Sequence, residues 1–170
     1  MSVALSSLPA TDAKCFRQSI SLFATGIAVI SAQADDGQVH GMTVNSFTSI
    51  SLDPPTVMVS LKPGRMLDLI TQCGRYGVSI LAEHQQASSA YFSKRVLEDS
   101  VLPAFSVRNE LPTLEGALAW FECEVEDTLV VHDHTLLISR VMACDLISHE
   151  APQPLLFFAS RYHRNPSPLG

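Results

Sequence analysis

The spacing of apolar residues near the start of the chain predicts a helix followed by a β-hairpin. Apolar residues recur at helical intervals between Lys14 and Ala24, with Asp12 placed to cap the helix. A β-branched run begins at Ile27, and Asp35-Asp36-Gly37 predicts a tight turn because Asp-Gly tolerates positive φ angles. The return strand is expected to start near Val39.

The middle of the chain carries both strand and helix patterns. Val57, Val59 and Leu61 share one face of a strand that runs to Lys62. The next segments predict in turn a helix, a strand, a longer helix and a loop, over Arg65–Gln72, Tyr76–Ala82, Glu83–Val96 and residues 97–113.

The last third alternates again and predicts antiparallel strands over Gly116–Val131, Thr135–Leu146 and Pro154–Ser160. In the first of these, Glu122, Glu124 and Glu126 share one face, which we interpret as a solvated sheet face. The whole pattern gives about six strands with a few short helices and no regular βαβ alternation, which favours an antiparallel barrel over a doubly wound sheet.

Composition narrows the class of protein. The chain has 170 residues, of which 46% are apolar and 16% are charged, and its net charge is −6. This length is typical of a single domain, and the apolar content is high enough for the chain to form a folded core. An acidic chain without a Lys/Arg cluster argues against nucleic acid and anionic membrane as partners. Residues 1–13 are small and polar, and we expect them to be frayed.

No segment of the sequence predicts export or a membrane span. The N-terminus lacks a basic segment followed by an apolar run, so no signal peptide is expected. The four cysteines form no CxxC pair. We therefore expect reduced thiols and a cytoplasmic protein.

Standard catalytic and nucleotide-binding signatures are missing. The sequence has no GxGxxG, GxxxxGK or GxSxG motif. His132 and His134 can share a strand face, but two imidazoles leave a zinc site short of ligands, so no metal is expected.

The stretch from His40 to Ser60 is dense in neutral hydrogen-bonding side chains. It is rich in Ser and Thr, contains no Lys or Arg, and has Asp53 as its single charge. Such a lining suits a polar, mostly planar ligand such as a flavin. The alternative is that these are ordinary strand and turn residues, and composition alone favours that alternative.

Seven segments, in order along the chain, resemble the short-chain flavin reductase family, the reductase components of two-component flavin monooxygenases. They are FRQSISLFATGIAVISA (16–32), HGMTVNSFTSISLDPPTVMVSLK (40–62), YGVSILAEHQ (76–85), FSKR (92–95), LPTLEGALAWFECEV (111–125), DHTLLISRV (133–141) and PLLFFASRY (154–162). Residues 120–166 are most similar to styrene monooxygenase reductases, with indole oxygenase reductases hard to separate from them. The resemblance defines a single flavin reductase-like domain over residues 14–165.

The resemblance implies a mainly β fold with a few short helices, a split β-barrel of the antiparallel, Greek-key, FMN-binding type, assembled as a homodimer. It implies an enzyme that uses NADH to reduce FAD, with FMN possible, and that hands reduced flavin to a separate monooxygenase by diffusion or a transient complex. Two alternatives stay open: a non-catalytic split-barrel flavin carrier, and an FMN-preferring reductase of the same family.

The resemblance also carries over binding residues, position by position. Hydride transfer needs the two cofactors held in place, so no catalytic residue is expected. His132 stands where the family has glycine, which bears on the turn next to the nicotinamide. The flavin contacts implied are Thr43, Asn45, Ser46, Ser60, Leu61, Lys62, Phe92 and Ser93, and those on the nicotinamide side are Asp133, His134 and Tyr162.

Overall fold

The fold is built from short helices and antiparallel strands. A computed structural model describes residues 12–93, 102–108, 110–147 and 153–164. Among these residues, no helix has both the length and the hydropathy that crossing a membrane requires. The helices are α1 (Ala13–Ile20), α2 (Arg65–Cys73) and α3 (Gln86–Phe92), and a 3-10 turn covers Glu83–Gln85. The strands are β1 (Thr25–Gly26), β2 (Ala28–Gln33), β3 (Val39–Val44), β4 (Thr48–Leu52), β5 (Pro55–Leu61), β6 (Arg75–Ile80), β7 (Phe105–Arg108), β8 (Leu111–Leu114), β9 (Ala119–Val131), β10 (His134–Leu146), β11 (Leu156–Phe158) and β12 (Arg161–His163).

Local signals in the sequence explain where several elements begin and end. Asp12 accepts a hydrogen bond from the Cys15 backbone N–H at 2.6 Å and caps α1, as predicted. The helix begins at Ala13, inside the segment expected to be frayed, while residues 1–11 lie outside the described part. Gly74 ends α2 at φ 71°, a left-handed conformation that glycine adopts without a Cβ penalty.

The main sheet has seven strands in the order β3-β2-β6-β9-β10-β5-β4. Its two edge strands, β3 and β4, are consecutive in the chain and are joined by residues 45–47. Four Cα steps of about 3.8 Å reach at most about 15 Å. Six strand spacings of about 4.8 Å would separate the edges of a flat sheet by about 29 Å. The sheet must therefore curl until its edges approach, although β3 and β4 are not paired with each other.

The concave side of the curled sheet encloses the main core together with α2. Val59, Leu61, Ile70 and Val78 are at most 1% exposed there. Tyr76 is also fully buried, and its hydroxyl donates to Ser139 Oγ at 2.9 Å. Burial raises the pKa of the Tyr76 hydroxyl, so it remains a neutral hydrogen-bond donor.

A second, smaller core joins α3 to the C-terminal hairpin of β11 and β12. Its buried members are Ile27, Val29, Leu81, Phe92, Leu114 and Leu155. Tyr162 of β12 packs against it, and its ring meets Phe157 edge-on at a centroid distance of 5.7 Å. This core holds α3 and the hairpin against each other.

Two predictions about residues 83–113 were wrong in part. The predicted helix over Glu83–Val96 is divided into the 3-10 turn and α3, which ends at Phe92; residues 94–101 lie outside the described part. The predicted loop over 97–113 contains the hairpin of β7 and β8. Pro112 does not prevent this hairpin because proline is tolerated in a strand of an isolated pair. Short strands such as these bring the total to twelve among the described residues, against about six predicted.

The interpretation of the glutamate stripe was wrong at Glu122. Glu124 and Glu126 are exposed, but Glu122 is only 6% exposed. The guanidinium of Arg75, on the neighbouring strand β6, forms an ion pair with its carboxylate. Cross-strand pairing therefore permits a buried charge that alternation alone predicts to be solvated.

Candidate functional site

A groove lies beside the connection between the two edge strands, at the end of the sheet. The groove, which we call the edge groove, has a volume of about 410 Å³ and is formed by the ends of β3, β5 and α3 and the start of β10. Its lining residues are Met42, Thr43, Val44, Asn45, Ser46, Ser60, Leu61, Lys62, Phe92, Ser93 and His134. The fold thus brings together nine of the eleven residues implied by the resemblance.

The connection between β3 and β4 is held so that Asn45 faces the groove. Ser46 Oγ donates to the Ser60 carbonyl and accepts from the Ser60 N–H, both at 3.1 Å. This pair of bonds ties the connection to β5. The Asn45 amide makes no hydrogen bond within the described residues, so both its donor and its acceptor remain available to a ligand.

A smaller cleft opens beside the edge groove and shares Thr43 and Asn45 with it. This cleft, which we call the hydroxyl cleft, has a volume of about 160 Å³. Thr43 Oγ1 donates to the Ser89 carbonyl at 2.8 Å, and Ser89 Oγ lies 3.0 Å from the Tyr162 hydroxyl. A contact across 73 residues of sequence therefore brings Tyr162 next to Thr43, a residue for which the resemblance implies a flavin contact.

A third cavity continues from Asn45 towards the N-terminus. It lies between α1, β1 and residues 44–48, and its volume is about 760 Å³. Arg17 and Phe23 line it, and the Thr25 hydroxyl at its wall is buried without a hydrogen-bond partner among the described residues. The resemblance implies no contact for these residues, although they lie within the segment 16–32 that carries it.

Charged side chains sit at the mouth of the edge groove. Lys62 Nζ lies 3.3 Å from Asp133 Oδ2, and His134 Nδ1 lies 2.8 Å from Asp133 Oδ1. The hydrogen bond with His134, followed by that with Lys62, lowers the pKa of the Asp133 carboxyl. Asp133 is thus placed to orient His134 and Lys62. Of these three residues, His134 and Lys62 line the groove.

The turn before His134 has the backbone conformation of a glycine. His132 lies at φ 53°, in the left-handed region that non-glycine residues rarely adopt. His132, where the resemblance implies a glycine, therefore adopts a glycine-like conformation in the turn between β9 and β10. The turn still brings His134 into the groove lining and places Asp133 beside it at the groove mouth.

Two of the implied contact residues have side chains that serve the cores. Leu61 is 1% exposed and belongs to the main core, and Phe92 is 8% exposed and belongs to the second core. Each forms part of the groove wall. Ser93, next to Phe92, donates a hydrogen bond from its hydroxyl to the Ala90 carbonyl at 3.0 Å, and its oxygen remains available as an acceptor.

The lining is suited to binding and orientation. It consists mainly of hydroxyls, one amide and apolar walls, with Lys62 as a cation in the edge groove and Arg17 as a cation in the third cavity. Within the described ranges, no group of three or more His, Cys, Asp or Glu residues is arranged to hold a metal ion. A long polar ligand with a planar ring and an anionic tail fits this arrangement.

Comparisons with known proteins agree on one family. The family described as "Flavin reductase like domain" matches residues 20–166. The NADH-dependent flavin reductase StyB of Pseudomonas fluorescens is 66% identical over 158 residues, which cover 93% of each chain. The structure of the styrene monooxygenase flavin reductase of Pseudomonas putida has a TM-score of 0.84 and 68% identity, covering 91% of this chain and 99% of that one. An NADH:FAD oxidoreductase of Streptomyces globisporus, in complex with NAD and FAD fragments, has a TM-score of 0.82 and 26% identity, covering 91% of this chain and 93% of that one.

Proposed function

This chain belongs to the flavin reductase-like domain family, and from that premise we propose that it is an NADH-dependent flavin reductase. It binds FAD along the edge groove, reduces it with NADH, and supplies the reduced flavin to a separate monooxygenase of the styrene or indole epoxidation type. The observation that carries the proposal is the Asn45 amide, which makes no hydrogen bond to any described residue and lies where the edge groove, the hydroxyl cleft and the large cavity meet.

The residues present fit a flavin. The ring of a flavin offers alternating carbonyl and N–H groups, which the amide of Asn45 can match with its own acceptor and donors. Thr43 and Ser46 are fixed by their hydrogen bonds to Ser89 and Ser60 and form a rigid wall beside it. Lys62, exposed at the groove mouth, is placed for the phosphates, with Asp133 holding its ammonium in position.

The protein accelerates the reaction by binding both substrates in these connected cavities. When bound, the nicotinamide and flavin rings supply the redox chemistry, the transfer of a hydride from nicotinamide C4 to flavin N5. The chain contributes by fixing the rings at reacting distance and by excluding water from between them. Neither task needs a general base.

A mainly neutral lining also suits a flavin that must leave. Hydroxyl and amide contacts are individually weak, whereas a bidentate arginine clamp on the diphosphate would slow release. We place FAD ahead of FMN because of the similarity to styrene monooxygenase reductases, with FMN as a second substrate. The free thiols of all four cysteines are typical of a reducing compartment, and we propose the cytoplasm.

We also propose that the protein is a homodimer. Large apolar side chains are exposed on the edge strand β4 and on the outer half of β9, where Leu52 is 90% and Val130 is 72% exposed. Surfaces of this kind are typical of subunit interfaces. Sedimentation equilibrium of the full chain tests this, with twice the chain mass expected; a monomer at micromolar concentration would contradict it.

The activity is tested by following NADH absorbance with FAD, with FMN and without flavin. We expect rapid NADH loss only when flavin is present, and faster loss with FAD. Flavin binding without NADH loss would support the carrier alternative. Faster turnover with FMN would support the FMN-preferring alternative.

The site itself is tested by replacing Asn45. Loss of two hydrogen bonds of ordinary strength is expected to weaken FAD binding about 10- to 100-fold in Asn45→Ala. Glu124→Ala, which removes an exposed side chain from the middle of β9, is the matched control and should bind as the unaltered protein does. Equal dissociation constants from flavin fluorescence titration of the two variants would remove Asn45 from the site.

A further inference from the structure

The Ser89–Tyr162 hydroxyl pair joins α3 to β12 at the wall of the hydroxyl cleft. The two oxygens are 3.0 Å apart, Ser89 is 0% exposed, and Tyr162 is half-buried. The Ser89 carbonyl is already used, because it accepts from Thr43 Oγ1 at 2.8 Å and from the Ser93 N–H at 3.1 Å. Three separate elements therefore meet at Ser89.

The number of hydrogens on the two hydroxyls determines which of them donates in the hydrogen bond between Ser89 and Tyr162. Each hydroxyl carries one hydrogen, and a single bond between them uses only one of the two. The Ser89 side chain is sealed from solvent, and within the described residues Tyr162 is its hydrogen-bond partner. A buried O–H without an acceptor is costly, so Ser89 donates to Tyr162.

This assignment leaves the hydrogen of Tyr162 without an acceptor in the described part of the chain. The Tyr162 ring cannot swing freely, since it is packed against Phe157 and the second core. Tyr162 lines the same cleft as Thr43 and Asn45. The cleft thus has one preset O–H donor in its wall.

We propose that the Tyr162 hydroxyl donates a hydrogen bond to an amide-type carbonyl oxygen on a ring bound in the hydroxyl cleft, and that Ser89 is the positioning residue that aims this donor. The inference rests on the proposed function and deepens it. Two rings present such an oxygen: the nicotinamide, in its carboxamide, and the flavin, in its pyrimidine part. The chemistry of recognition is the same for both.

Removing the donor should weaken the binding of one ligand. One neutral hydrogen bond corresponds to about a 3- to 10-fold change, so Tyr162→Phe should raise either the FAD dissociation constant or the KM for NADH by that factor. Ser89→Ala keeps the Tyr162 hydroxyl but removes the hydrogen bond that orients it, so a smaller increase in the same constant is expected. The double variant should be no worse than Tyr162→Phe alone, because a single donor is lost in both.

The main core offers a matched control, the Tyr76–Ser139 hydroxyl pair, whose bond is 2.9 Å long and whose residues line none of the three cavities. Tyr76→Phe and Ser139→Ala remove the same chemical groups from a buried site. They should lower thermal stability without changing FAD binding or the KM for NADH. This separates a positioning role from a general structural one.

The experiment measures FAD binding by fluorescence without NADH, and then KM for NADH and for thionicotinamide adenine dinucleotide, whose sulfur is a poorer acceptor than oxygen. A change in FAD binding alone assigns the flavin carbonyl. Loss of discrimination between NADH and its thio analogue in Tyr162→Phe assigns the carboxamide. Unchanged constants in Tyr162→Phe, or additive effects with Ser89→Ala, would overturn the inference. Failure of the proposed function is distinct, because it appears as absence of flavin-dependent NADH loss in the unaltered protein.

Discussion

Gly41 in β3 controls how closely α3 can approach the sheet. A Cβ atom at this position would lie 2.6 Å from Phe92 Cδ1 and 2.7 Å from Cε1. Carbon atoms in contact are about 3.5–4.0 Å apart, so Gly41→Ala requires a displacement of about 1 Å. The Phe92 ring is 8% exposed and is held between Tyr91 and Phe105, so α3 has to move with it.

The displacement has a cost in stability and a cost in binding. Overpacking of this kind costs about 1–3 kcal/mol, and each kcal/mol lowers the Tm of a chain this size by about 2–4 °C. We therefore expect Gly41→Ala to lower the Tm by about 2–12 °C. FAD binding should also weaken, because α3 carries Ser89 and Ser93 into the site.

Thermal unfolding and flavin titration of the same samples measure both effects. Gly26→Ala is the control for stability, since nothing lies within 4 Å of its added Cβ. In a Phe92→Leu background, the smaller and more flexible side chain can turn aside, so the cost of Gly41→Ala should shrink. A Gly41→Ala protein with an unchanged Tm and unchanged FAD affinity would refute the reasoning.

Two further predictions concern charge. Arg75→Met removes the guanidinium that pairs with the buried Glu122 carboxylate, and it should lower the free energy of unfolding, measured in urea, by about 2–3 kcal/mol. This is less than the loss expected for a fully buried ion pair, because the Arg75 side chain is 34% exposed. Arg140→Met breaks the more exposed ion pair with Glu126 and should lower the free energy of unfolding by less than about 1 kcal/mol. Equal losses of stability in Arg75→Met and Arg140→Met would contradict the role of burial. Because its partners lower the pKa of Asp133, the charged carboxylate stabilises the fold above its ordinary pKa of 3.8, and that contribution is lost as pH falls through the lowered value. The stability difference between the unaltered protein and Asp133→Asn should thus narrow as the pH falls below about 5, and a difference that does not change with pH would argue against the Lys62–Asp133–His134 contacts.

The sequence predicted most elements because their signals are local. Asp12 caps α1, Gly74 ends α2, and alternation locates β5, β9 and β10. Each of these depends on residues a few positions apart, where backbone geometry and side-chain period decide the outcome. The resemblance added the family, which the comparisons then confirmed.

The errors occurred where distant residues decide the outcome. Glu122 follows the alternation of an exposed stripe, yet Arg75 on the adjacent strand allows it to be buried. The hairpin of β7 and β8 has only four residues in each strand, too few for a clear period of two. Ser89 carries no local signal, since the hydroxyl that its side chain contacts belongs to Tyr162, which lies 73 residues further along the chain.

By itself, the sequence determined an apolar, sparsely charged chain that folds as antiparallel strands, with a neutral hydroxyl-rich stretch from His40 to Leu52. The tertiary structure alone decided that this stretch joins the two edges of one curled sheet. A connection of three residues between edge strands draws the edges together without pairing them, and the groove lies where this connection meets the ends of β5 and α3 and the start of β10. Side chains from four separate segments line that groove, and their meeting depends on long-range strand pairing that no local pattern encodes.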